Sequence, residues 1–158
     1  MELAFTPEQQ ELVRTVRAFT KKELAPHTAR WDRTDEVPLE AWRRMGELGL
    51  LGLRTPARYG GQEGDLLTVG IATEEIARGD FCSTHVIQTA TLAGEILGKH
   101  GSDDIKERWL PPAASGDALI ALALTEPTVG SDAANLECRA VREGDEYVIT
   151  GEKSGITF

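Results

Sequence analysis

The sequence predicts an α+β chain. An all-α helical domain covers residues 1–114, and antiparallel strands of an incomplete, β-barrel-like middle domain cover 115–158. Three observations carry this. Apolar residues recur at helical spacing from Leu12 to about Leu110. From Ala118 onward they form short continuous or alternating runs, broken by Gly-Asp turns. Pro111-Pro112 stands at the changeover, where a helix is expected to stop.

The first helix opens at Thr6, with Pro7 at the first helical position and Gln9 placed for a capping box. Leu12, Val13, Val16 and Phe19 share one face, Lys21-Lys22 complement the helix dipole, and Pro26 ends or kinks the helix. After a polar stretch from Asp32 to Glu36, a second helix begins at Pro38. Trp42, Met45 and Leu48 form its inner stripe and Gly49 its stop. Pro56, Tyr59, Gly60 and Gly61 mark an irregular stretch with a turn. Asp65 caps a third helix over residues 66–77. A fourth covers 83–99, where Val86, Ala90, Ala93 and Leu97, widened by Ile87 and Ile96, make a stripe suited to burial among other helices. Ser102 caps a short fifth helix, with Asp103 and Asp104 in its first turn.

Residues 118–124 are a continuous apolar run, whose length suits a buried strand. Leu136, Cys138 and Ala140 alternate with Glu137 and Arg139, as in a half-exposed strand. Glu143-Gly144-Asp145 makes a turn, Tyr147, Val148 and Ile149 begin the return strand, Gly151-Glu152 turns again, and Ile156 to Phe158 starts a further strand. Three short strands are too few to close a β domain, and open strand edges do not normally finish a fold. More polypeptide after Phe158, or a partner, is therefore expected.

Composition narrows the function. The net charge of −9 over 158 residues speaks against binding nucleic acid or anionic lipid, both of which need a clustered positive face. Residues 1–5 lack the basic start and apolar run of a signal peptide, and no stretch approaches the ~20 apolar residues of a bilayer span, so no membrane insertion and a cytoplasmic protein are expected. Cys82 and Cys138 lack metal-ligand spacing and read as buried, reduced thiols. His27, His85 and His100 are scattered, which suggests no metal site.

Chemistry concentrates in residues 122–132, Leu-Ala-Leu-Thr-Glu-Pro-Thr-Val-Gly-Ser-Asp. An apolar segment ends on Thr125, which can donate to a carbonyl or ring nitrogen. The turn that follows can aim backbone N–H groups and the Ser131 hydroxyl at an anion, and Gly130 lets the backbone approach a ligand closely. A plain loop, stiffened by Pro127 and with Asp132 as a cap, has the same pattern.

Thr125 to Asp132 resembles the T-E-P-x-x-G-S-D signature of acyl-CoA dehydrogenases. The rest of the chain is similar in the same order. Phe5-Thr6 with Gln9 resembles the family's opening helix. Residues 46–52, Gly-Glu-Leu-Gly-Leu-Leu-Gly, with Pro56 and Tyr59-Gly60-Gly61, resemble its E-L-G-L-L-G…P…Y-G-G run. Residues 74–80, Glu-Glu-Ile-Ala-Arg-Gly-Asp, resemble its E-E-I-A-R-x-D helix end. Gly101-Ser102, Lys106 and Leu110-Pro111 match its G-S-x-x-x-K…L-P segment, and Gly144-Asp145, Tyr147, Gly151 and Lys153 its G-D-x-Y-x-x-x-G-x-K hairpin.

The resemblance implies an enzyme that uses FAD to dehydrogenate an acyl-CoA thioester between its α and β carbons. It usually works as a dimer or tetramer and passes electrons to an electron-transfer flavoprotein. It implies that Leu122, Leu124, Thr125, Gly130 and Ser131 line the cofactor, that Ser131 also meets acyl-CoA, and that Gly155, Ile156 and Thr157 cover one flavin face. The catalytic base implied is a carboxylate beyond Phe158, for no position here matches it. Two positions depart from the family pattern. Gly155 stands where a tryptophan is usual, and Thr128-Val129 replaces the commoner Gly-Ala. Two alternatives follow: an oxygen-using flavoprotein of the same superfamily (an acyl-CoA oxidase or monooxygenase), or a truncated, non-catalytic helical interaction module. On the fourth helix, Thr84, Gln88 and Thr89 face either substrate, solvent or a neighbouring helix.

Overall fold

Helices that each bury one apolar face come first, and a hairpin follows. The computed structural model describes residues 4–157; Met1, Glu2, Leu3 and the expected strand residue Phe158 lie outside them. The chain divides into two compact units, one extending to Ile120 and the other beginning at Ala121. The α+β order expected from sequence is observed: among the described residues, six α-helices and then two antiparallel strands in an open sheet.

Helix α1 (Pro7–Phe19) starts on the expected capping box. Thr6 Oγ1 accepts the Gln9 N–H at 3.2 Å, and Gln9 Oε1 accepts the Thr6 N–H at 3.0 Å. Its end widens into a π-helical turn, Thr20–Leu24. Helix α2 (Thr28–Thr34) was not expected, because its sequence offers one buried apolar residue, Trp31, and no stripe. Helix α3 (Leu39–Glu47) buries Trp42 and Met45, and Gly49 ends it at φ 77°. Helix α4 (Leu66–Ala77) is capped by Asp65, whose Oδ1 accepts the Thr68 N–H at 2.7 Å. Helix α5 (Thr84–His100) buries Val86, Ile87, Ala90 and Ala93.

Helix α6 (Asp103–Ser115) corrects the expected stop at Pro111-Pro112. A proline's fixed φ is itself helical; what it forfeits is a donor. Leu110, Ala113 and Ala114 on the buried side hold the last turns in place, and Gly116 ends the helix at φ 83°. Helices α3 and α6 approach closely, since a Cβ on Gly46 would stand 2.0 Å from the Ser115 carbonyl oxygen.

One apolar cluster joins α1 to α5, with Val16, Phe19 and Leu24 from the first helical run, Trp31, Trp42 and Met45 from α2 and α3, and Ala72, Ile76, Ile87 and Ala90 from α4 and α5. Each fully buried Leu, Met or Ile contributes roughly 1.5–3 kcal/mol. Several polar groups at the seams are paired, while Thr20 Oγ1 and Arg54 Nε are buried without a partner among the described residues. Trp42 Nε1–H donates to Ser83 Oγ at 2.9 Å, and the Asp80 carboxylate accepts the Ser83 hydroxyl and, at 2.9 Å, its N–H. Arg17 grips the buried Glu75 carboxylate through Nε and Nη2, both at 2.7 Å, which ties α1 to α4. That fork, opposed by desolvation, holds the Glu75 carboxyl below the usual carboxylate range. Cys82, expected to be buried, is exposed, because it sits in the turn between α4 and α5.

Two glycine substitutions should act in opposite directions. Gly46→Ala forces apart the α3–α6 contact and is expected to cost about 1–3 kcal/mol, the usual range for an overpacked site. Gly70→Ala adds a methyl to an exposed turn of α4 with nothing within 4 Å, and is expected to stabilise by about 0.5–1 kcal/mol. Urea unfolding followed by far-UV circular dichroism measures both.

Candidate functional site

The second unit begins without the expected strand. Residues 118–124 carry no regular structure, and Leu119, Leu122 and Leu124 are exposed. An apolar run settles into a buried strand only where neighbours cover it and take up its backbone groups. Among the described residues, none forms a ladder with this segment.

After Thr125 the chain reverses. Glu126 and Val129 exchange backbone hydrogen bonds at 3.0 and 3.1 Å, with Pro127-Thr128 at the corner, where proline presets φ. Gly130 and Ser131 follow, then a 3-10 turn, Ala133–Asn135. The hairpin comes next: β1 (Arg139–Glu143) pairs with β2 (Glu146–Thr150) in the register Arg139↔Thr150 to Glu143↔Glu146, and Gly144 turns at φ 65°.

One carboxylate ties these pieces together. Glu126 is 5 % exposed on a loop whose neighbours Thr125, Pro127 and Thr128 are exposed. Its Oε2 accepts the Glu137 N–H at 2.7 Å. Its Oε1 accepts the Cys138 N–H at 2.9 Å and the Lys153 ammonium at 2.8 Å. Lys153 also donates to the Leu124 carbonyl at 2.9 Å, and the Ser154 N–H donates to the Thr125 carbonyl at 3.0 Å. The loop is thus fastened to the segment before β1 and to the segment after β2. Hydrogen bonding from Lys153, then from the Glu137 N–H, pulls the Glu126 carboxyl from 4.5 down to about 2. This group stays ionised at neutral pH and is a poor proton acceptor.

The same carboxylate corrects the expected strand through Leu136, Cys138 and Ala140. The ladder starts only at Arg139, because Glu126 has taken the N–H groups of Glu137 and Cys138. Cys138 is half-buried rather than buried. Past β2, Ile156 and Thr157 form no strand.

The residues singled out from sequence fall as follows. Leu122, Leu124, Thr125, Gly130 and Ser131 are all exposed along the loop; Gly155, at φ 64°, and Thr157 are exposed beyond β2, with Ile156 half-buried. The Ser154–Thr125 hydrogen bond joins the two stretches, while no hydrogen bond links Ser131 to Thr157 among the described residues. A Cβ on Gly130 or Gly155 would meet nothing within 4 Å. The hydroxyls of Thr125, Thr128, Ser131 and Thr157 have no partner among the described residues. Such a loop can donate to an anion and to a polar ring edge, but it aims no free base at either. In the helical unit, Thr84 donates to the Phe81 carbonyl at 2.7 Å, and Thr89 to the His85 and Val86 carbonyls at 3.2 Å, so both hydroxyls are used within their own helix region. Gln88 is exposed. Sequence reasoning counted Glu126 and Lys153 as motif positions but did not pair them; the available signal was their opposite charge in two separate motifs.

Known proteins with this pattern are numerous. The family described as acyl-CoA dehydrogenase, N-terminal domain, matches residues 6–117. The protein named "Probable acyl-CoA dehydrogenase YngJ" of Bacillus subtilis (strain 168) is 42% identical over 160 residues, covering 99% of this chain and 42% of that protein. The structure of a glutaryl-coenzyme A dehydrogenase–glutaryl-CoA complex matches with a TM-score of 0.93 at 34% identity, over 99% of this chain and 40% of that one. Butyryl-CoA dehydrogenase from Megasphaera elsdenii matches with a TM-score of 0.88 at 30% identity, over 99% and 42%. The chain therefore spans about two-fifths of the length of the proteins it matches.

The Glu126 clamp sets a pH dependence. A carboxyl with a depressed folded pKa stabilises the fold fully above its ordinary value and loses that contribution as pH falls through the folded value. The second unit should therefore loosen as pH drops from 4.5 toward about 2. Carbon-13 NMR titration of the Glu126 carboxyl should show a midpoint near about 2; a midpoint at the ordinary value would contradict the clamp.

Proposed function

This chain belongs to the acyl-CoA dehydrogenase family, and on that premise we propose that it forms the N-terminal portion of an enzyme that dehydrogenates an acyl-CoA thioester with FAD. In this reading residues 1–114 are the helical domain and 115–158 open the middle β domain. The observation that carries it is the loop of residues 122–131. Its hydroxyls have no partner among the described residues and its glycine is uncrowded, while Glu126 fastens the loop at its foot.

The donor set fits the cofactor's chemistry. The Ser131 hydroxyl and the open backbone at Gly130 suit a pyrophosphate. Thr125 suits the polar pyrimidine edge of a flavin, and Leu122, Leu124 and Ile156 suit the apolar ring surface. FAD, when bound, takes up the hydride that leaves the β-carbon. The chain's own residues would hold it: Thr125 would donate to the polar ring edge, Ser131 would serve phosphate and acyl-CoA, and Gly155 and Thr157 would cover the flavin. The α-proton needs a carboxylate base raised by desolvation. Glu126, held near 2 by its donors, is unsuited to that task. The reading includes a dimeric or tetrameric enzyme in the cytoplasm, with electron-transfer flavoprotein as acceptor. Among the described residues no helix is long and apolar enough to cross a membrane.

A second reading, an oxygen-using flavoprotein of the same superfamily, is favoured by Gly155. This residue puts no side chain over the proposed ring face, and the space at its Cβ position is open.

The full-length protein should purify yellow, with absorbance near ~450 nm from protein-bound oxidised flavin, and should bleach anaerobically on adding an acyl-CoA. A colourless protein that FAD cannot reconstitute contradicts the proposal. Hydrogen peroxide formed at the rate of turnover in air replaces the dehydrogenase with the oxidase reading.

A further inference from the structure

The described loop would have little reason to hold one shape if only its exposed residues were considered. Its exposed threonines, serine and glycine make few contacts, and such a segment normally samples many conformations. A ligand that must first order it loses affinity in proportion to how seldom the competent shape is populated. The question is what keeps the stretches 122–131 and 155–157 at a fixed separation.

The hydrogen bonds around Glu126 and Lys153 answer it. Lys153 Nζ reaches the Glu126 carboxylate at 2.8 Å and the Leu124 carbonyl at 2.9 Å, so one ammonium touches both sides of Thr125. The next residue along, Ser154, donates its N–H to the Thr125 carbonyl at 3.0 Å. Thr125 is thereby fixed by bonds on its own carbonyl and on both neighbours, while its hydroxyl has no partner among the described residues. Gly155 follows Ser154 directly, so its place is set by the same bonds. Glu126 is 5 % exposed, and charge-assisted hydrogen bonds shielded from water are stronger than neutral ones. The Glu126 carboxylate is buried, and two of the three Lys153 N–H donors are already engaged within the chain.

We propose that Glu126 and Lys153 are positioning residues of the cofactor site: their ion pair sets the spacing between the two cofactor-contacting stretches before FAD arrives. The inference rests on the flavin reading above and adds to it that affinity for FAD depends on a pair whose bonds hold the two stretches together. The pair acts on the apo protein. It raises the fraction of molecules whose Thr125 hydroxyl and Gly155 backbone already stand where the cofactor needs them.

The test uses the full-length enzyme stripped of FAD and titrated with it, following quenching of flavin fluorescence at 25 °C. Lys153→Met leaves Glu126 its two backbone donors and removes the tie to Leu124. It is expected to raise the Kd for FAD about tenfold or more, the loss that goes with one charge-assisted hydrogen bond, while far-UV circular dichroism stays native. Lys153→Arg, which keeps the charge, should recover most of that loss. In apo wild type the Glu137 and Cys138 amides should be protected from hydrogen exchange, and in Lys153→Met less so. If Lys153→Met does not fold, Glu126→Gln reads the same quantity. It keeps an acceptor for one of the two amides but loses the charge and the second acceptor oxygen, and it should weaken FAD binding by about threefold or more. A folded variant with a lowered melting temperature but wild-type Kd would show that the pair only stabilises the fold, and would overturn the positioning role. Wild type that binds no FAD overturns the flavin reading itself, a different result from wild type and variant binding equally well.

Discussion

One buried carboxylate, Glu126, and the three donors around it govern the unit that begins at Ala121. An ionised group out of contact with water is tolerated only when its lone pairs are taken up. Here two backbone N–H groups and one ammonium do so, and each comes from a different place in the chain than the loop they steady. The consequence reaches beyond the pair. The β ladder is delayed to Arg139, Cys138 is left half-buried, and Thr125 presents from a fixed backbone a hydroxyl with no partner among the described residues. A loop of small and hydroxylated residues acquires a defined shape from the one charged residue within it.

The helical unit follows another logic. Its shape comes from close packing, with polar groups at several seams paired so that part of the cost of burying them is offset. Gly46 admits the Ser115 carbonyl, Trp42 finds the Ser83 hydroxyl, and the Arg17 fork neutralises Glu75 between α1 and α4. Each contact links residues distant in sequence, and each replaces a backbone or side-chain group that water would otherwise satisfy.

Much of this was legible in the sequence, for reasons that differ by element. Thr6, Pro7 and Gln9 announce α1 because capping is a local interaction, settled within three residues. Asp65 and the stripe of α5 are legible for the same reason and through periodicity. Helix α2 was not, since a seven-residue helix with Trp31 as its buried anchor leaves no periodic trace. The run through Pro111-Pro112 was missed because tertiary burial of Leu110 and Ala114 outweighed two missing donors. Residues 118–124 read as a strand because propensity reports what a segment would do when covered, and among the described residues nothing covers it. In the loop, Thr125, Gly130 and Ser131 stood out as residue types with obvious chemistry. Glu126 and Lys153 did not, because their significance lies in a pairing across 27 residues that no local pattern encodes.

A crystal structure of the full-length protein with FAD bound tests the account most directly. The account places the Thr125 and Ser131 hydroxyls within hydrogen-bond distance of the cofactor, with the Glu126 carboxylate still holding the Glu137 and Cys138 amides and Lys153. A flavin seated elsewhere, with Ser131 facing solvent or Glu126 released from its donors, would contradict it.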